Sequence, residues 1–258
     1  MNVSARLTSL TRIGFATRGI LYLVIASLIV RTGRAEDPSG ALEYLGRGSG
    51  KLLLTLMVAG LIAYGVWRIA DAAFNIERHD SDGKGYVERA GAGLSGTVHL
   101  LLAWQGFRLI QGARSASDGT EESARAALEL PGGTAVLVLA GLLFAAIGIY
   151  QLVKSAKASF LEHLEPNIAR QPWAKLSGRL GYAARGVVFT ISGVFIVKAG
   201  LAARASDAGG MADALAWLDS PADLLVAAGL FAFGLFGLIE ARFRILRDVP
   251  VERAMPHW

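Results

Sequence analysis

The residues able to do chemistry in this chain are few, and they sit among apolar neighbours. Arg18 and Arg185 share one setting, a glycine four residues before and another directly after, in Gly14-Phe15-Ala16-Thr17-Arg18-Gly19 and Gly181-Tyr182-Ala183-Ala184-Arg185-Gly186. A third stretch, Gly91-Ala92-Gly93-Leu94-Ser95-Gly96, keeps the glycines and has serine where the others have arginine. Three other apolar runs, registered on Gly65, Gly148 and Gly234, place Asp71, Lys154 and Glu240 in one column near their ends. Arginine is answered by a carboxylate, and serine by lysine. Charges at depth in an apolar medium are costly unless paired. The expectation is that Arg18 with Asp71, and Arg185 with Glu240, form charge-assisted hydrogen bonds within or between units. Such pairs fix helix register whether or not they also serve a pathway.

A second set is basic in all three units. Arg31, Arg108 and Lys198 stand thirteen residues after Arg18, Ser95 and Arg185. Three such charges around an axis would line an anion path; alternatively, long basic side chains at a helix end bury their stems and reach lipid phosphates. Position 31 lies about 220° round a helix from position 18, off the glycine face, which favours the phosphates. His99 is the ionisable residue nearest the middle of an apolar run, with Gln105 on the same segment. Its column partners are Tyr22 and Phe189, which read as a ring-shaped packing position, while an intramembrane histidine is also a candidate proton relay.

Enzyme chemistry finds no support. The four histidines are scattered, and no His-Glu-x-x-His helix, Gly-x-Ser-x-Gly elbow or phosphate-binding loop is present. With no cysteine there is no thiolate or disulfide chemistry. The expectation is a protein that is not an enzyme and uses no metal or cofactor. The acidic group Asp118, Glu121 and Glu122 reads as a solvated loop.

The elements that must position these residues are apolar helices. Hydrophobic residues make up 53 % of the 258 and charged ones 18 %, and the apolar residues are gathered rather than spread with amphipathic period. They form six runs, at about residues 13–31, 52–74, 92–112, 135–153, 180–200 and 223–242, each near the length of about 20 residues that crosses about 30 Å of hydrocarbon. The fold class expected is therefore all-α: a polytopic membrane protein, six transmembrane helices as three pseudo-repeated helix pairs, in one membrane domain over residues 1–258. The first run lacks a small-x-small cleavage pattern and is read as a retained span. Most of the 26 Lys and Arg fall on the side of the termini and of the loops near 75–91 and 154–179, which puts both termini in the cytoplasm. No basic stripe interleaved with aromatics marks a nucleic-acid binder.

Each unit (about 10–76, 87–158 and 174–244) has an opening helix, an outer loop and a return helix. The outer loops, from Glu36, Asp118 and Asp207, each hold acidic and small residues before a short apolar-faced segment bounded by Gly or Pro. Short helices at the outer headgroup level are expected there. Registering the opening helices on Arg18, Ser95 and Arg185 also aligns Gly19, Gly96 and Gly186, and Ala26, Ala103 and Gly193. Small residues recurring on one face predict a seam of close helix contact. The inner linker from Ser155 to Ser177 continues the fourth helix and then rests on the inner surface, interrupted by Pro166 and Pro172.

Three copies of a two-span unit, with Gly-x-x-x-Arg-Gly heading two of them, resemble a bacterial family known only as domain of unknown function 1206, over about Leu10 to Phe243. The resemblance implies an integral membrane protein with three helix pairs and lends no catalytic residue, cofactor or substrate. The function expected is a non-enzymatic lipid- or partner-binding structural module of the bacterial inner membrane. Its partners would be membrane lipids and a membrane protein or second copy. The alternative is a small channel or transporter along the pseudo-threefold axis.

Overall fold

The computed structural model describes residues 3–33, 37–46, 50–76, 82–112, 119–218 and 220–245. Regular structure among them is helical: α1 (Val3–Thr32), α2 (Pro38–Gly46), α3 (Lys51–Phe74), α4 (Gly83–Ile110), α5 (Gly119–Leu128), α6 (Gly133–Lys157), α7 (Pro166–Ala169), α8 (Pro172–Ala202), α9 (Met211–Ala216) and α10 (Ala222–Phe243). Local chemistry sets their ends. Asp82 caps α4 by accepting from the Gly85 N–H at 2.7 Å, and Asn75 closes α3 in the left-handed conformation. Proline opens α7 and α8, where no intrahelical N–H is lost. The expected short outer helices are α2, α5 and α9; α2 begins beside Asp37, whose carboxylate accepts from Gly40 at 2.8 Å, and it buries Ala41, Leu42 and Leu45. The outer acidic residues Glu36, Asp118 and Asp219 lie outside the described residues. Past α6 the inner linker forms a 3₁₀ turn over Ser159–His163 and the short α7, and Phe160 is fully buried.

Five helices among the described residues are long and apolar enough to cross a membrane: Thr11–Thr32 of α1, and α3, α6, α8 and α10. The sixth expected span, α4, is 28 residues long but falls short in apolarity, diluted by its glycines, Ser95, His99 and Gln105.

The helices pack in an order the columns alone do not specify. The tightest partners are α3 with α4, α6 with α8, and α10 with α1, so each return helix lies against the opening helix of the next unit, and the last closes on the first. The glycine columns make these contacts. A methyl built on Gly96 would lie 2.8 Å from the Gly65 carbonyl oxygen; on Gly148, 2.8 Å from that of Gly186; on Gly234, 2.8 Å from that of Gly19. Any side chain at these points would meet backbone, which cannot rotate away.

A second, weaker interface joins the two helices of a unit, and only units one and three have it among the described residues. Gly14 faces Tyr64 and Gly60 faces Thr17 between α1 and α3; Gly181 faces Phe233 and Gly229 faces Ala184 between α8 and α10. In unit two, α4 and α6 share no comparable packing, and nothing lies within 4 Å of where a methyl on Gly91 would sit. The sequence supplies a reason. Position 143, the counterpart of Gly60 and Gly229, is leucine, and Leu143 is exposed. The bundle therefore runs α4, α3, α1, α10, α8, α6, with a cleft between its two ends.

Candidate functional site

The end of this bundle where α1 begins and α10 ends holds an ion cluster assembled from units one and three. Glu240, 2 % exposed, stands on α10 where that helix crosses α1. Its Oε2 accepts from Arg18 Nη2, and its Oε1 accepts from Arg244 Nη1 at 2.7 Å. Arg18 Nη1 also donates to the Tyr64 hydroxyl at 3.1 Å. Aromatic rings wall the cluster, with the Arg18 guanidinium carbon 4.9 Å from the Phe15 centroid and 5.0 Å from that of Phe233, and the Arg244 carbon 4.8 Å from Phe15. One carboxylate thus serves two buried guanidiniums, and ring faces supply further stabilisation of the cations.

The pairing differs from the expected one, and the packing order explains the difference. Because each return helix meets the opening helix of the next unit, the acid column is shifted by one unit against the arginine column. Glu240 meets Arg18 instead of Arg185. Asp71, fully buried, stands on α3, which packs against the helix that carries Ser95, and an ion pair at 3.5 Å joins it to Arg68 on its own helix. Lys154 lies on the helix that meets Arg185, so two cations share that junction; the Lys154 ammonium sits 4.9 Å from the Tyr182 ring centroid. Arg185 itself stands over Tyr22, Phe189 and Phe233, at 5.3, 4.8 and 4.6 Å. No ion pair or hydrogen bond joins it to another described residue, and its Nε is buried without a partner.

His99 and Gln105 are not brought together. His99 Nδ1 donates to the Ser95 carbonyl at 2.7 Å and its ring lies 4.5 Å from Tyr64, a packing position one turn from Ser95. Gln105 Oε1 accepts from Ser39 of α2 at 3.0 Å. Arg31, Arg108 and Lys198 are all exposed, near the C-terminal ends of α1, α4 and α8.

Five residues of the cluster and its supports were not picked out from the sequence. Arg244 and Arg68 stand four and three residues from a buried carboxylate, a spacing that places both on its helix face and would have found them. Arg89 and Arg179 donate to carbonyls ending the preceding return helix, Arg89 Nη2 to Ala72 at 2.8 Å and Arg179 Nη2 to Ala156 at 3.0 Å. They share one column, six residues before Ser95 and Arg185. Tyr64 carries no charge and resembles any aromatic of an apolar run; only its hydroxyl distinguishes it.

Apolar helices of spanning length, joined at glycine seams and turning their charges inward, define an integral membrane protein of the helical-bundle class. The chain belongs to the family described as Domain of Unknown Function (DUF1206), which it matches over residues 13–75, 90–158 and 180–244. Three matched segments in one chain mark internal repeats. An uncharacterized protein, YxxB, of Bacillus subtilis (strain 168) is 30 % identical over 248 residues, covering 90 % of each chain. No solved structure matches.

Proposed function

We propose that the protein is a non-enzymatic structural module of the bacterial inner membrane that binds lipid or a membrane partner, with α4 as its sixth span and both termini cytoplasmic. The observation that carries this reading is the filling of the bundle centre. Tyr22 and Tyr182 meet Phe233 edge-on at 4.9 and 5.3 Å, and all three are buried. The apolar helices are also unbroken, whereas transporter repeats place ions and substrates at interrupted ones. Arg31, Arg108 and Lys198 serve as outer contacts to lipid phosphates. The exposed apolar face of α6, with Leu139, Leu142 and Ile149, is available to lipid chains or to a partner helix.

The competing reading is a small channel or transporter. Reconstituted into liposomes loaded with a pH-sensitive or a chloride-sensitive dye, the protein is expected to give proton and anion flux no faster than protein-free liposomes. Sustained flux that substitution of His99 or Arg185 abolishes would replace the module by a channel.

A further inference from the structure

From the cleft between α4 and α6 we infer a binding site for the phosphodiester headgroup of an anionic lipid, held by Arg185 and Gln151. The inference deepens the lipid-binding reading and rests on it. Arg185 is always charged, because a guanidinium does not lose its proton in a protein. Its repeat counterpart Arg18 is neutralised by Glu240, whereas Arg185 meets three rings and no acid among the described residues. Rings stabilise a cation partially; they leave its N–H groups without acceptors.

The second orphan is on the facing helix. Gln151 of α6 is 5 % exposed, and its Oε1 has no hydrogen-bond partner. It shares a helix face with Phe144, seven residues earlier, and Phe144 stacks on Phe189 at 4.8 Å, one turn from Arg185. Gly148 and Gly186 touch across α6 and α8, and at about 1.5 Å of rise per residue Gln151 and Arg185 fall within about 3 Å of the same depth. Arg185, whose Nε is buried without a partner, and the buried acceptor Gln151 therefore lie at one depth on facing helices beside the gap in the helix order. Lys154 adds positive charge to the same wall.

A phosphodiester accepts from Arg185 through its oxygens, and a hydroxyl of its headgroup donates to Gln151. The chains then lie along the exposed α6 face at Leu139, Leu142 and Leu143, of which Leu143 stands where units one and three bury a glycine. Ser95 contributes by being small: an arginine in that column of α4 would add a third cation at the same level. A lipid reaches the site laterally, as the cleft has membrane on its open side.

The test is native mass spectrometry of the full chain in detergent, titrated with dioleoylphosphatidylglycerol or dioleoylphosphatidylcholine. Wild type is expected to hold phosphatidylglycerol in preference to phosphatidylcholine. Arg185→Gln should weaken phosphatidylglycerol about tenfold to a hundredfold, the range of one charge-assisted hydrogen bond, and Arg125→Gln, on the exposed face of α5, should change it little. Arg185→Lys, which keeps the charge without the planar fork, should fall between. Gln151→Leu should weaken binding while leaving the preference for the anionic lipid. Should Arg185→Gln fail to fold, the Lys and Leu variants decide, and wild-type affinity in both would overturn the site. Equal affinity of wild type and folded Arg185→Gln, or equal binding of the two lipids by wild type, would also overturn it. Displacement of phosphatidylglycerol by equimolar inorganic phosphate would assign the site to a soluble anion instead. Loss of the site without ion flux in liposomes leaves the module standing; flux dependent on Arg185 sinks the module itself.

Discussion

Glu240→Gln is expected to destabilise the protein by about 3–5 kcal/mol, the usual result of removing one partner from a buried ion cluster. The carboxylate is 2 % exposed and lies between two guanidiniums, Arg18 and Arg244, each 8 % exposed. The neutral amide keeps the shape but removes the one negative charge that both buried guanidiniums share at Glu240. Against a total stability of about 5–15 kcal/mol, that is a large share. Thermal unfolding in detergent, followed by far-UV circular dichroism, reads the effect, and lower accumulation in membranes should accompany it. The contrast is Glu121→Gln. Glu121 pairs with Arg125 at 2.9 Å on the surface of α5, and exposed pairs are worth about 0–1 kcal/mol. Equal shifts for the two substitutions would mean that burial does not set the value of the Glu240 cluster.

Gly148→Leu is expected to separate α6 from α8. The first carbon of the new side chain would lie 2.6 Å from the Thr190 backbone nitrogen and 2.8 Å from the Gly186 oxygen, and no rotamer moves that carbon. Overpacking of this kind costs about 1–3 kcal/mol and more where backbone must shift. In a membrane the loss is felt directly, since helix association there depends on close backbone approach rather than on expulsion of water. The internal control is Gly91→Leu, a glycine of a repeated column with open space where its methyl would go. Thermal unfolding of the pair should show a marked fall for position 148 and little change for position 91. Similar falls would detach the glycine columns from the packing described.

The repeat made much of the fold legible. Gly19, Gly96 and Gly186 share a column because each is a point of helix contact, and Gly65, Gly148 and Gly234 share another because they are the facing points. Acidic caps and Gly or Pro breaks located the outer helices. Partner choice was not legible, because a column states which face is used and not which unit it meets. Arg18 with Asp71 inside a unit and Arg18 with Glu240 across units satisfy the same pattern, and only the packing order selects the second. The break in unit two was present in the sequence as Leu143 against Gly60 and Gly229. A leucine in an apolar run is unremarkable until its counterparts are compared. The weak apolarity of α4 follows from its glycines together with Ser95, His99 and Gln105. Tyr64 illustrates the remaining limit: whether a phenol packs or accepts a hydrogen bond depends on what folds against it.

The central claim is that the last helix closes on the first, and a pair of introduced cysteines tests it most directly. The chain has no native cysteine, so any bridge formed is unambiguous. Leu23 of α1 lies 2.7 Å from a methyl built on Gly234, and Leu235 is the exposed neighbour of that glycine on α10. Leu23→Cys with Leu235→Cys, treated in native membranes with a short bis-maleimide, should link the two ends of the chain and give a faster-migrating species on a denaturing gel. If each cysteine labels when alone but the pair never bridges, α10 does not lie on α1, and the shared Glu240 cluster and the α4–α6 cleft fall with it.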